Sequence, residues 1–228
     1  MQAPAHPLDR PVWSALSGRQ ERFSLGDERA RRFAPEYGLF AAAADDSRES
    51  LAALAALDCD EAGLCLVETE TWPTPPGMIA RTPAPCVQMT ATAIAADDRR
   101  FTVIALTERD APDMLALATL TKPGPFFVRT HQLGEFVGIR QDGRLAAMAG
   151  ERMRPDGFTE VSGVCTHPDH RGRGYAGALM RIVANRILAR GETPFLHAFE
   201  TNHAAIELYR SLGFTLRRTV ALTILTRP

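Results

Sequence analysis

Between His167 and Leu179 the chain reads HPDHRGRGYAGAL, with three glycines and two arginines crowded at the entrance to an apolar, helix-periodic stretch. Glycine costs about 1 kcal/mol relative to alanine inside a helix, so such a cluster implies that something must approach the backbone closely. First-turn N–H groups have no intrahelical partner and sit at the positive end of the helix dipole, which suits a diphosphate. Read as R/Q-x-x-G-x-G/A, the segment RGRGYA (Arg171, Gly172, Arg173, Gly174, Tyr175, Ala176), with Gly177 behind it, is such a loop, and its arginines add local positive charge. The same glycines spell GxGxxG, the dinucleotide fingerprint. Here, however, five polar residues (HPDHR) separate them from the preceding strand, and Glu192 comes before the next strand rather than after it. Only about 50 residues follow, too few for a doubly wound sheet. No GK[ST] is present, which excludes a Walker loop.

Other groups with chemical potential lie nearby in sequence. In the strand-like segment FTEVSGVCT, alternation places Phe158, Glu160, Ser162, Val164 and Thr166 on one face. Glu160 is therefore either a positioned carboxylate or a solvated one. Asn202 and Tyr209 are seven residues apart on a helical segment, so they share a face about 10 Å apart along the axis and can reach one extended ligand. Cys165, His167 and His170 form C-x-H-x-x-H, but a proline separates the histidines and no second ligand pair follows, so no metal is expected. His197, within PFLHAF, is a second candidate base or a packed histidine. Phe126 and Phe127, in KPGPFF, either line a substrate pocket or cap the core.

These groups sit in a chain of 228 residues whose 45% hydrophobic and 23% charged content is that of an ordinary soluble protein, not a disordered one. The formal net charge of −1 supplies no global field for nucleic acid or an anionic membrane, so any anion must be bound locally. Cys59, Cys65, Cys86 and Cys165 lack paired spacing, which suits a reduced compartment. MQAPAHPLDRP has no apolar h-region, and the apolar run GLFAAAA is far short of the roughly 20 residues of a membrane span, so a cytoplasmic protein is expected.

A regular series of elements must position the candidates. The N-terminal part reads as a helix from Ser47 to Leu57, a strand at Leu64–Glu68, a proline-rich loop or edge segment (TWPTPPGMIARTPAPC), and a strand at Val87–Ala93. A domain boundary is placed at the charged turn ADDRR, giving units 1–98 and 99–228. Beyond it, FTVIAL reads as a strand. TERDAPDMLALATL reads as a helix opened by a capping box, Thr107 with Asp110, and by Pro112. EFVGIR, LAAMAGERM and FTEVSGVCT form three antiparallel strands joined by the turns QDGR and PDG. The glycine segment then opens a helix to about Arg190, with Ala176, Leu179, Met180, Val183 and Ile187 in one buried stripe. PFLHAF, a helix from Asn202 to Leu212 and a strand FTLRRTVALTIL follow.

EVSGVCTHPDHRGRGYAGALM together with NHAAIELYRSLGF resembles the GNAT superfamily of acetyl-CoA-dependent N-acyltransferases, and within it the branch related to glycine N-acyltransferase. The second segment looks like N-x-x-A-x-x-L-Y-x-x-x-G-F. The resemblance covers residues 99 to 228. It implies an α/β (α+β type) fold, a mixed, mostly antiparallel sheet flanked by helices and preceded by a smaller α/β N-terminal region. It also implies acetyl-CoA as cosubstrate, with the pyrophosphate on the glycine loop and the pantetheine arm along the main chain of Val164, Cys165 and Thr166. Asn202 would contact that arm, Tyr209 would meet the thiol, and Glu160 would act as general base, directly or through a water. A phenol ordinarily titrates near about 10 and a thiol near about 8.5, which makes full proton transfer uphill by about 2 kcal/mol, so Tyr209 would mainly donate a hydrogen bond. The implied partner is a small-molecule amine acceptor, with a homodimer left open. The alternative is a CoA-binding regulatory module without turnover, which would need only the glycine loop.

Overall fold

The computed structural model describes residues 6–81, 84–96 and 101–228. Along the chain run α1 (Pro11–Leu16), β1 (Ser24–Gly26), β2 (Ala30–Phe33), β3 (Ala41–Ala43), α2 (Arg48–Ala56), β4 (Leu64–Glu68), β5 (Ile79–Ala80) and β6 (Ala84–Thr90). There follow β7 (Ile104–Leu106), α3 (Ala111–Thr121), β8 (Phe136–Gln141), β9 (Arg144–Glu151), β10 (Phe158–Thr166), α4 (Tyr175–Ala189), β11 (Thr193–Phe199), α5 (His203–Leu212) and β12 (Thr215–Thr226). The main sheet has the order β4-β12-β6-β11-β10-β9-β8-β7, with β5 on β12, and β1, β2 and β3 form a small separate sheet. Neighbours in the main sheet pair antiparallel except β10 with β11, which are parallel and joined through α4. This is the mixed, mostly antiparallel sheet flanked by helices that the sequence implied.

Local chemistry explains most of the element ends. Ser47 caps α2 by accepting from Ser50 N, the Thr107–Asp110 capping box precedes α3, Asn202 caps α5 through Ala205 N, and Gly213 ends it at φ 104°. The stripe of α4 buries Leu179, Met180, Val183 and Ile187 against Val137, Ile139, Ala147, Ala149, Val161 and Leu196, whereas Ala176 is half-buried. On the opposite face of the sheet α3 packs Met114, Leu117 and Ala118 onto Phe136, Met148 and Cys165. On that same face α1 seats Val12 and Leu16 against Phe33, Phe40, Cys65, Phe195 and Val220.

Several expected boundaries move. β6 starts and ends earlier than Val87–Ala93, because the chain turns off after Thr90 and Ala95 N bonds Leu212 O at the end of α5. Of FTVIAL only Ile104–Leu106 pairs as a strand, while Phe101 packs edge-on against Tyr175 at 5.1 Å. Residues 97–100 of the charged turn ADDRR lie outside the described residues. The sheet nevertheless runs across that position, since β4 and β6 from before it pair with β12 and β11 from after it.

Candidate active site

Two irregularities in β10 open the site. Its parallel pairing with β11 ends at Glu160–Phe195, so from Val161 onward the edge of β10 that faces β11 is unpaired. On its other edge the register with β9 slips between Ser162 and Cys165, where Gly163 adopts φ +61°. This bulge corrects the simple alternation expected for the strand. Two residues face one on β9, so Val164 turns toward the α4 cluster and Cys165 toward the α3 cluster. An added Cβ at Gly163 would lie 2.8 Å from the Phe136 ring, so the bulge needs glycine for space as well as for φ.

Where the strands diverge, a cleft enclosing about 150 Å³ passes through the sheet. Toward α4 and α5 its lining includes Val164, Asn202 and Tyr209, and toward α1 it includes Arg152, Glu160, His197 and Phe40. The structure thus brings together Glu160, Val164, His197, Asn202 and Tyr209. The Cys165 side chain is buried away from the cleft, and burial pushes its thiol up to about 11. Phe126 and Phe127 are not in the lining. Pro123, Gly124 and Pro125 of the same loop take that place, because Phe126 packs edge-on against Phe136 at 5.8 Å and Phe127 is tied by its main-chain N–H to Thr130 Oγ1 at 2.7 Å.

A second concavity lies at the glycine loop, formed by Thr166 and residues His170 to Gly177 with Leu208. Gly172 and Gly174 take φ +74° and +82°, and Gly174 is the N-cap of α4. Gly177 lies farther in, where Leu208 of α5 would touch its Cβ at 3.5 Å. Thr166 Oγ1 and His170 Nδ1 are buried without hydrogen-bond partners among the described residues, so the concavity offers unused polar atoms beside a helix N-terminus. His167 is committed locally, accepting from Asp169 N at 3.3 Å. Among the described residues no cluster of three or more His, Cys, Asp or Glu is arranged to hold a metal.

Glu160 is 1% exposed and its carboxylate is crowded with donors. Arg152 donates from Nε to Oε2 at 2.8 Å and from Nη2 to Oε1 at 2.9 Å, and His197 Nδ1 lies 2.9 Å from Oε1. Burial alone would raise the carboxyl, but the Arg152 charge and the His197 and Arg152 hydrogen bonds together hold it at about 2. The other ring nitrogen, Nε2, lies 3.1 Å from Gln88 Nε2. Gln88 Oε1 accepts from Arg217 at 2.9 Å, so its amide N–H groups face Leu8 O and His197. This network assigns the proton to Nδ1 and the lone pair to Nε2. Arg152 and Gln88 were missed by motif reasoning. Arg152 was reachable, because the β9–β10 register that pairs Glu151 with Val161 sets Arg152 opposite Glu160.

The Arg152–Glu160 pair makes a stability prediction. Arg152→Met leaves a buried carboxylate without its cation, at an expected cost of about 3–5 kcal/mol in urea unfolding, and adding Glu160→Gln should recover much of it. The wild-type carboxyl lies below its unfolded value of about 4.3, so its stabilisation is full above that pH and lost as pH falls toward 2. In Arg152→Met, burial dominates and raises the carboxyl. Stability should then rise as pH is lowered from about 7 to about 5. A variant that keeps the wild-type pH profile would remove Arg152 from control of this charge.

A family profile described as FR47-like protein matches residues 136–222, from β8 into β12, which contain the glycine-loop concavity and the part of the cleft formed by β10, β11 and α5. A Novosphingobium aromaticivorans protein, described with its crystal structure as belonging to the GNAT family of acetyltransferases, is 47% identical with a TM-score of 0.91. The match covers 98% of this chain and 100% of that one. The N-alpha-acetyltransferase RimI of Mycobacterium tuberculosis is 32% identical over 132 residues, 53% of this chain and 82% of the relative. The chain belongs to the GNAT family of acetyltransferases. An acetyltransferase of Yersinia pestis is 40% identical over 58 residues, 25% of this chain, which spans 40% of that relative's length. Within the GNAT frame the glycine loop and the divergence of β10 from β11 lie in the matched region. Phe40, Val67 and Cys86 of the cleft wall lie before it.

Proposed function

We propose that this chain transfers an acetyl group from acetyl-CoA to a primary amine of a small molecule, by direct attack with both substrates bound. The observation that carries this reading is the through-sheet cleft, with the glycine loop, Asn202 and Tyr209 toward one face and Glu160 and His197 toward the other. Acetyl-CoA fits the first side. Main-chain N–H groups at the start of α4, with Arg171 and Arg173, would hold its pyrophosphate, and Thr166 and His170 offer unpartnered polar atoms there. The open edge of β10 from Val161 to Thr166 would hydrogen-bond the pantetheine amides, and the Asn202 side-chain amide would add a donor.

On the other side, His197 accepts the amine's proton at Nε2, once the amine N–H takes the place of Gln88 there. Glu160 is a positioning residue rather than the base: a carboxyl held near 2 accepts protons poorly, but it fixes the Nδ1–H tautomer. Tyr209 donates its hydroxyl hydrogen bond to the departing thiolate. Burial raises its own pKa, which keeps the phenol protonated. The placement in the glycine N-acyltransferase-related branch belongs to this proposal and rests on the two sequence segments alone.

The test is an acetyl-CoA assay over a panel of amines, read by thiol release, beside calorimetric titration of CoA. CoA binding without turnover on any amine would make the chain a CoA-binding regulatory module. Arg171 and Arg173 are exposed side chains whose charge the loop would use. Arg171→Ala with Arg173→Ala should weaken CoA about 10- to 100-fold and flatten the salt dependence of binding. Unchanged affinity in the folded double variant would overturn the loop assignment.

A further inference from the structure

The acceptor side of the cleft is walled by Phe40, Val67, Cys86 and Leu222, an apolar surface built mostly by the N-terminal half of the chain. Among the described lining residues one Arg or Lys stands in it. The Arg152 guanidinium lies over the Phe40 ring, 4.4 Å from its centroid, and keeps 11% of its side-chain surface exposed where it lines the cleft. Its Nε and one N–H of Nη2 are committed to Glu160. An arginine has five N–H donors, so both on Nη1 and the second on Nη2 are left without an acceptor among the described residues.

The wall constrains what can fill it. A purely apolar amine would cover these N–H groups and strip them of water without replacing the lost hydrogen bonds, which is unfavourable for each group. A ligand with a planar anionic oxygen pair matches the guanidinium edge far better than a neutral oxygen does. The charges of Arg152 and Glu160 cancel, and the hydrogen-bond network gives His197 a neutral tautomer, so this side of the cleft suits a molecule that is itself neutral overall. The whole cleft encloses about 150 Å³, which limits its occupant on this side to a small molecule. We infer that the acceptor is an amine that also carries a carboxylate and an apolar side chain, with Arg152 Nη1 binding the carboxylate and the Phe40–Val67–Cys86–Leu222 wall taking the side chain. This deepens the acetyl-transfer reading and rests on it for the identity of the reacting amine, whereas the carboxylate site rests on Arg152 alone. Glycine, which has nothing to place on that wall, is expected to be a poor ligand.

The probes are L-leucine, L-leucinamide, 3-methylbutylamine and glycine. The amide and the amine remove the carboxylate, and glycine removes the side chain. Each is titrated calorimetrically into CoA-saturated protein, because the amide's amine loses its proton more readily and would bias a turnover assay. Leucine should bind at least about 10-fold more tightly than each of the others. Arg152→Lys, which keeps the charge opposite Glu160 but loses the planar edge, should cut the leucine-to-leucinamide ratio at least several-fold while CoA affinity is retained. L-leucinamide binding as tightly as L-leucine, an unchanged ratio in Arg152→Lys, or no binding of leucine would overturn the inference. Leucine bound with this preference but never acetylated would leave the carboxylate site standing and refute acetyl transfer. Acetylation of amines without any carboxylate preference would do the reverse.

Discussion

His197→Gln is expected to lower kcat/KM for the amine by about 10²–10⁴ while the affinity for CoA stays near wild type. The imidazole lines the cleft with its Nδ1–H on Glu160, so Nε2, which faces Gln88, would be the atom to accept the amine's proton. Glutamine keeps a side chain of similar reach that can still donate to Glu160, so the ion pair with Arg152 should survive and the loss should be chemical rather than structural. Glu160→Gln acts one step removed. It keeps the shape of the network but weakens the hold on the imidazole and leaves Arg152 less well paired, so its loss in kcat/KM should be smaller than that of His197→Gln. The measurement is steady-state kinetics with the amine below saturation, beside urea unfolding to confirm that each variant is folded. Wild-type kcat/KM in His197→Gln would return the proton to water or to Glu160, and a larger loss in Glu160→Gln than in His197→Gln would favour the carboxylate as base.

Tyr209→Phe is expected to lower kcat by about 10²–10³ with the KM for acetyl-CoA nearly intact. The ring is kept, and with it the packing against Phe214, whose centroid lies 6.4 Å away. Only the hydroxyl is deleted. It reaches the cleft beside Asn202 and has no protein hydrogen bond among the described residues, so it is available to a ligand atom. If that atom is the sulfur, the bond strengthens as thiolate charge develops, and only interactions stronger in the transition state raise kcat. Asn202 also caps α5 through its Oδ1. Asn202→Asp, which keeps the cap and removes the amide donor, should therefore weaken acetyl-CoA binding with little change in kcat. An undiminished kcat in Tyr209→Phe, with acetyl transfer shown to limit turnover, would reduce Tyr209 to a packing residue.

The glycine loop was legible because its cause is local. A turn into a helix at positive φ favours glycine, and RGRGYA places Gly172 and Gly174 there within six positions. The α4 stripe and the hairpins from β8 to β10 were legible for the same reason, since periodicity and turn residues act over short range. The bulge had a signal that simple alternation overrode: an isolated glycine inside a strand, Gly163, marks a bulge or a close approach. The acceptor wall had none. Val67, Cys86 and Leu222 meet only because β4, β12 and β6 are neighbours in the sheet, and Phe40 joins them through its bridge to Cys65, so no local pattern encodes the wall. Gln88 was hidden likewise, because its role depends on Arg217, 129 residues away.

In the proposed mechanism one cleft between β10 and β11 holds acetyl-CoA with its sulfur at Tyr209. A crystal structure of the protein grown with acetyl-CoA tests it directly. The pyrophosphate is expected on the main-chain N–H groups at the start of α4, the pantetheine along the open edge of β10, and the sulfur within about 3.5 Å of the Tyr209 hydroxyl. Acetyl-CoA bound outside this cleft, or bound with its thioester turned away from both Tyr209 and His197, would contradict it.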